Sequence, residues 1–456
     1  MSANDPNENA AVPKEVGAIP FGEALRFWLK LGFISFGGPA GQIALMHHEL
    51  VDKRRWISER RFLHALNYCM LLPGPEAQQL ATYLGWLMHR TWGGILAGAL
   101  FVLPSLFILI GLSWGYVAYG HLPAVGAVFA GIKPAVAAIV CLAAWRLGGR
   151  VLRHPVLWGI ALAAFVGIAL LACPFPLVIG LAALLGIVVG RWRPTIFRSA
   201  THAPERRQDT DGPLAIIGDD TPRMVHTFFS WQRLMRIAVM GIGLWLLTMG
   251  GLVATLGWAH TLTQMGWFFT KAALLTFGGA YAVLPYVYQA AVEHFGWLTA
   301  GQMIDGLALG ETTPGPLIMV VAFVAYVGGH AKAVLGPEML VAGGVLAAAL
   351  VTWLTFLPSF VFILAGGSLV ESTHGEPVVQ APLTAVSAGV VGVIASLGLF
   401  FVEHVLWPTG WQLLPDLRAS AFFLFSLIAL GRFKMGVPGL LAATALASLA
   451  LSAWIN

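Results

Sequence analysis

Four times an otherwise apolar stretch of this chain is interrupted by residues that end helices, and the interruptions come in two matching sets. Phe36-Gly37-Gly38 and Pro73-Gly74-Pro75 recur 241 residues later as Phe277-Gly278-Gly279 and Pro314-Gly315-Pro316. Phe27, Lys30, Val51, Trp56 and Leu66 reappear in the same ungapped register as Phe268, Lys271, Val292, Trp297 and Leu307, which makes 11 identities in 49 positions. Glycine pairs and a Pro-Gly-Pro in register mark a duplicated module. The copies differ in one loop. Between Val51 and Arg61 the first carries Lys53, Arg54, Arg55, Arg60 and Arg61, whereas Val292 to Gln302 holds no Lys or Arg.

Hydrophobic residues make up 58 % of the chain and charged ones 10 %, which excludes an ordinary soluble globule with its roughly 25 % charged residues. Apolar runs at 92–119, 155–190 and 378–402 exceed the roughly 20 residues that cross a bilayer core. The chain reads as an all-α polytopic membrane protein. Residues 1–20 hold no apolar stretch resembling a cleavable signal and are expected to be a cytoplasmic tail. Cys69, Cys141 and Cys173 sit in apolar runs without ligand spacing and read as packing residues, so no metal is expected. The net charge of +5 is dispersed over short loops, an orientation signal that leaves no patch for nucleic acid.

The basic, weakly apolar stretch 192–232 reads as a cytoplasmic linker between a first repeat at 21–191 and a second half at 233–456. Working outward from it, crossings fall near 155–171, 174–190, 92–118 and 123–147. A single crossing at 21–50 would then export the loop with five basic residues. Two shallow hairpins avoid this, one turning at Gly37, Gly38 and Pro39, the other at Pro73, Gly74 and Pro75. Ser58 reads as an N-cap and Pro73 as a breaker, so the helix between them is about 14 residues or roughly 21 Å, too short for a core of roughly 30 Å. In the second half an extra helix at 237–258 inverts the repeat proper at 264–456, in which Thr299 and Gln302 have capping-box spacing. Further crossings are expected near 340–366, 378–402, 418–431 and 436–455. The expected fold is therefore an inverted repeat, each half with two broken, re-entrant hairpins and further transmembrane helices.

Irregular backbone at membrane depth is tolerated where it lines a wet cavity, and broken helices meeting near the midplane are the plan of many secondary transporters. Helices restart at about Pro39, Glu76, Ala280 and Leu317, and helix N-termini favour anions. Gly37, Gly38, Pro73, Gly74, Pro75, Gly278, Gly279, Pro314, Gly315 and Pro316 are thus candidate substrate-site residues, the alternative for the glycines being close helix packing. Ser35 and Thr276 offer a hydroxyl before each glycine pair, unless it bonds back to its own helix. Lys30 and Lys271, two turns before the breaks, would balance a dianion, or else snorkel to the interface. Glu76 and Glu311 lie beside the Pro-Gly-Pro breaks without a counterpart in the other copy, as coupling carboxylates or helix caps. Asn67, Gln78 and Gln79 complete a polar wall; His47 and His48 read as loop residues.

FGGPAGQIALMHHELV, RRWISERRFLHALNYCMLLPGPEAQQLATYLG, TFGGAYAVLPYV and TTPGPL resemble the chromate ion transporter family, long two-domain type, over nearly all of 21–456. The resemblance implies a bacterial inner-membrane protein that exports chromate from the cytoplasm and confers chromate resistance, with sulfate as a competing analogue. It also implies halves of opposite orientation. A transporter of sulfate or another tetrahedral oxyanion on the same scaffold is the alternative. No GxxxxGK[ST] signature points to ATP, and no CxxC, haem or flavin signature points to a reductase, so neither a cofactor nor an enzymatic activity is expected. A homodimer is one assembly the scheme allows.

Overall fold

The computed structural model describes residues 19–36, 38–193, 215–218, 221, 227–277, 280–370, 380–408 and 414–455. The first copy runs through α1 (Phe21–Ile34), α2 (Gly38–His47), a π-helical turn (His48–Lys53), α3 (Glu59–Cys69), α4 (Glu76–Tyr119), α5 (Pro123–Val151), α6 (Pro155–Ala169) and α7 (Phe175–Trp192). α8 (Trp231–Leu256) stands between the copies. The second follows with α9 (Thr261–Leu274), a 3-10 turn (Ala280–Ala282), α10 (Leu284–Tyr288), a π-helical turn (Gln289–His294) and α11 (Ala300–Thr312). A 3-10 turn (Leu317–Met319), α12 (Val320–Ala331), α13 (Leu340–Val370), α14 (Gln380–Leu406), α15 (Leu417–Gly431) and α16 (Val437–Ile455) complete it. Among the described residues seven helices, α4, α5, α7, α8, α13, α14 and α16, are long and apolar enough to cross a bilayer. The chain is a multi-pass helical membrane protein.

The copies match beyond their shared letters. Each has a six-residue π-helical turn at the same repeat position, followed by a left-handed residue, Arg55 (φ 52°) or Gly296 (φ 58°). In each the tryptophan amide then folds back, Trp56 onto the Leu50 carbonyl at 2.8 Å and Trp297 onto the Ala291 carbonyl at 2.7 Å. The basic loop and its counterpart without Lys or Arg therefore share one backbone. Ser58 and Thr299 cap the helices that follow, and Thr299 with Gln302 forms the full capping box. α3 has 11 residues, about 16 Å, and ends short of the expected length because Met70 to Leu72 tighten into turns onto Leu66, Tyr68 and Cys69.

α4 leaves helical geometry at His89 and Arg90 (φ 58°), where the second copy separates α12 from α13. Beyond this kink, Pro104 lies inside α4 and Pro358 inside α13. Packing interleaves the copies. α14 lies against α5, α6 and α7 of the first copy, while α5 lies against α14, α15 and α16 of the second. Apolar burial thus runs across the repeat boundary, with α4, α5, α9, α12 and α14 contributing to one core. α8 is mostly exposed, with only Gly241 and Met249 buried among its residues, and leans on α9 and α13. Most of the linker lies outside the described residues; its Ile217 is buried and pairs as a short parallel bridge with Ile57.

Candidate functional site

The four breaks meet in reciprocal pairs. α1 ends at Ile34, and the Ser35 carbonyl, no longer needed by a following helical turn, accepts the Gly315 N–H at 2.7 Å. In the repeat-equivalent pair the Thr276 carbonyl accepts the Gly74 N–H at 2.8 Å. The residue leading into each glycine pair therefore holds the Pro-Gly-Pro of the other copy, and the exchange is isologous, as two-fold symmetry requires. Gly74 (φ 126°) and Gly315 (φ 105°) adopt backbone that an L side chain rarely takes.

Glutamine side chains fasten the same turns. Gln42 Nε2 donates to the Gly315 carbonyl at 2.5 Å, so the first copy holds both polar groups of that glycine. Gln79 Nε2 donates to the Pro73 carbonyl at 2.7 Å, and Gln78 Nε2 to Thr82 Oγ1 at 2.9 Å. Because Pro73 and Gly315 supply carbonyls, which only accept, the amide orientation of Gln79 and Gln42 is settled and each keeps a second N–H in hand. The hydroxyls that precede the two glycine pairs behave differently. Thr276 bonds back to the Ala272 carbonyl at 2.7 Å, whereas Ser35 Oγ is fully buried without a hydrogen-bond partner among the described residues.

Glu311 is buried at the end of α11, and the Tyr281 hydroxyl donates to its Oε1 at 2.6 Å. Tyr281 in turn overlies the other copy's break: a Cβ at Gly38 (φ 69°) would stand 3.9 Å from its ring. A carboxylate of the second copy is thereby tied to the glycine turn of the first. Glu76 is partly buried at the start of α4, which no side chain caps.

Of the remaining candidates, Gln78 and Gln79 are fully buried and Asn67 is exposed. Lys30 is exposed, outside the buried face of α1 formed by Ala24, Phe27, Trp28, Leu31 and Gly32. Lys271 is half-buried with its Nζ 5.6 Å from the Trp267 ring. Neither lysine forms a hydrogen bond or ion pair with the breaks among the described residues. Gly37, Gly278 and Gly279 lie outside the described residues. His47 and His48 lie at the π-helical turn, His47 Nε2 at 2.5 Å from Glu59 Oε2 and His48 Nδ1 at 3.3 Å from Asp52 Oδ2.

Several neighbours escape a reading of the sequence. Ser105 and Ser359 follow the intrahelical prolines and face Gly315 and Gly74 respectively. Their Leu-Pro-Ser triplets, 103–105 and 357–359, are a second repeat signal hidden by a change of spacing after Pro316. Gln42 and Tyr281 have no equivalent in the other copy, where Val283 and Ala40 stand. Lys133, visible as a cation inside an apolar run, lies 3.1 Å from Asp305 Oδ1, and the Tyr116 hydroxyl donates to Asp305 Oδ2 at 2.9 Å.

The family model described as "Chromate transporter" matches residues 22–187 and 263–449, one stretch in each copy. The chromate transport protein of Pseudomonas aeruginosa is 33 % identical over 373 residues, covering 81 % of this chain and 78 % of that protein. The chromate transport protein of Cupriavidus metallidurans is 29 % identical over 431 residues, 94 % of this chain and 92 % of that one. An uncharacterized transporter of Methanocaldococcus jannaschii is 23 % identical over 380 residues, 83 % of this chain and 84 % of its own. No solved structure matches the chain.

Proposed function

Since the chain belongs to the chromate transporter family, we propose that it exports chromate from the cytoplasm through the bacterial inner membrane as a secondary transporter, by alternating access at the site between the four breaks. The observation that carries this reading is the reciprocal clasp, Gly315 to Ser35 and Gly74 to Thr276. A clasp exchanged between two equivalent modules has two equivalent ways of opening, one toward each side, if the modules are inverted across the membrane. Inversion follows from charge. The loop with Lys53, Arg54, Arg55, Arg60 and Arg61 stays inside under the positive-inside rule, and its counterpart with the same backbone, stripped of Lys and Arg, is free to face outward. α8 supplies the odd crossing that turns the second copy over, and the N-terminus is then cytoplasmic.

Chromate is a tetrahedral dianion that only accepts hydrogen bonds, and the breaks offer donors: the Ser35 hydroxyl, spare amide N–H groups of Gln42 and Gln79, and the uncapped start of α4. The membrane potential favours the direction. One charge moved through 100 mV is worth about 2.3 kcal/mol, so a dianion leaving an inside-negative cell gains about 4.6 kcal/mol. Uncharged donors suit any tetrahedral oxyanion, which keeps sulfate as the second reading. Counterflow in proteoliposomes of the purified chain separates the two. Chromate exchange with inhibition by sulfate is expected; sulfate exchange without chromate exchange overturns the chromate assignment.

A further inference from the structure

We infer that Ser105 and Ser359 are a two-fold-related pair of hydroxyl donors for the transported oxyanion, one contributed by each copy. The inference rests on the transporter reading and names ligands that neither the breaks nor the lysines supply. Both hydroxyls are fully buried and have no hydrogen-bond partner among the described residues. Ser113, Thr263 and Thr355 are also buried without a partner among the described residues, so it is the equivalent positions against the two Pro-Gly-Pro turns that single this pair out as groups awaiting a ligand.

A serine within a helix ordinarily satisfies itself on the carbonyl one turn back. Several hydroxyls here do so: Thr352 on Ala348 at 2.8 Å in α13, Ser426 on Phe422 at 2.7 Å in α15. Ser105 and Ser359 leave that option unused. Each directly follows a proline inside its helix, where the missing N–H loosens the wall of the helix at that level.

Their surroundings are the breaks themselves. A Cβ at Gly315 would stand 2.6 Å from the Ser105 Cβ and 3.0 Å from its Oγ. A Cβ at Gly74 would collide with Ser359 Oγ and stand 2.7 Å from Gln79 Nε2. Glycine at these two positions therefore keeps each serine hydroxyl open to the turn of the opposite copy. The first copy's serine serves the second copy's Pro-Gly-Pro and the reverse holds equally, the same exchange as the backbone clasp. A movement that separates one clasp carries one of the two hydroxyls away from its turn while the other stays, which makes the pair suited to binding on one side and release on the other.

The test is initial-rate counterflow of chromate, and in parallel of sulfate, in proteoliposomes of the full chain with Ser105→Ala, Ser359→Ala, the double variant and Ser426→Ala. The last removes a hydroxyl that is already satisfied within its helix. A hydrogen bond to a charged group is worth about 1.5–3 kcal/mol, so each single alanine is expected to raise the half-saturating concentration about ten-fold or more. The double variant should raise it further, and Ser426→Ala should leave it unchanged, all four melting within a few degrees of the wild type. Unchanged half-saturation in both singles and the double, or an equal shift in Ser426→Ala, overturns the assignment. If the wild type exchanges sulfate and not chromate, the chromate reading fails and the serines are judged on sulfate. If it exchanges neither anion, both readings fall.

Discussion

The Tyr281 hydroxyl donates to the Glu311 carboxylate at 2.6 Å, and both residues belong to the second copy, where the first has Ala40 and Met70. Around the reciprocal backbone clasp this pair, like Gln42, has no counterpart in the other copy. A buried carboxylate beside the proposed anion site would repel a dianion unless it is protonated or displaced, so we propose Glu311 as a residue through which protons bear on transport. Glu311→Gln, which keeps shape and removes charge, is expected to retain chromate counterflow while net flux loses its response to an imposed pH gradient. Tyr281→Phe should weaken that response without abolishing it. Flux in Glu311→Gln vesicles that still follows the pH gradient as in the wild type would remove Glu311 from coupling.

Gly74 and Gly315 combine left-handed backbone with a neighbour where a Cβ would sit. Alanine at either position strains the turn and presses on Ser359 or Ser105, at a cost of about 1–3 kcal/mol. Gly111 of α4 has nothing within 4 Å of an added Cβ and should accept alanine with no loss. Thermal melts in detergent should show the two turn variants lowered and the Gly111→Ala variant not; equal melts would mean the turns tolerate a side chain.

The inverted scheme makes a directional prediction. Single cysteines placed near Arg60 and near Gly301, at the equivalent starts of α3 and α11, should react with a membrane-impermeant thiol reagent from opposite sides: Arg60 from the cytoplasm, Gly301 from outside. Labelling of both from one side would show the copies to be parallel.

Asp305 and Lys133 join α11 to α5, with the Asp305 side chain almost wholly buried and Lys133 about a third exposed. Removing Lys133 leaves the Asp305 carboxylate with only the Tyr116 hydroxyl, and removing the Asp305 charge leaves Lys133 without its counter-ion; between the limits for surface and buried pairs the loss is about 2 kcal/mol. Lys133→Met and Asp305→Asn should each lower the melting temperature, and the double variant should lower it by less than the sum of the two. Additive losses would mean that the ion pair contributes nothing.

How far the sequence discloses this molecule depends on what each feature requires. The long helices are legible because apolar length and basic loops are local properties: α13, α15 and α16 begin and end close to where those cues place them, while α8 begins six residues before the expected 237. So are the restarts expected near Pro39, Glu76, Ala280 and Leu317, found as α-helices from Gly38 and Glu76 and as 3-10 turns from Ala280 and Leu317, since proline and glycine act on their own backbone. The clasp is not, because no local rule says that Gly315 will meet Ser35 of the other copy instead of its own Thr276. Lys30 shows a different limit. Its spacing to the break implies a shared face only if the helix continues, and α1 stops at Ile34, so helical periodicity does not reach Gly38. Ser105 and Ser359 escape for a third reason: the spacing between copies grows from 241 to 254 residues by Pro104 and Pro358, outside the ungapped match.

An oxyanion path between inverted copies, driven by membrane potential, stands or falls on net chromate flux from proteoliposomes holding the purified full chain under an imposed potassium diffusion potential. Chromate exit that speeds up when the interior of the cytoplasm-equivalent side is made negative, slows when the potential is reversed and is absent from protein-free vesicles is the predicted result. Chromate retained at the protein-free rate at every potential, in vesicles whose protein is folded and oriented, would refute potential-driven export by this chain.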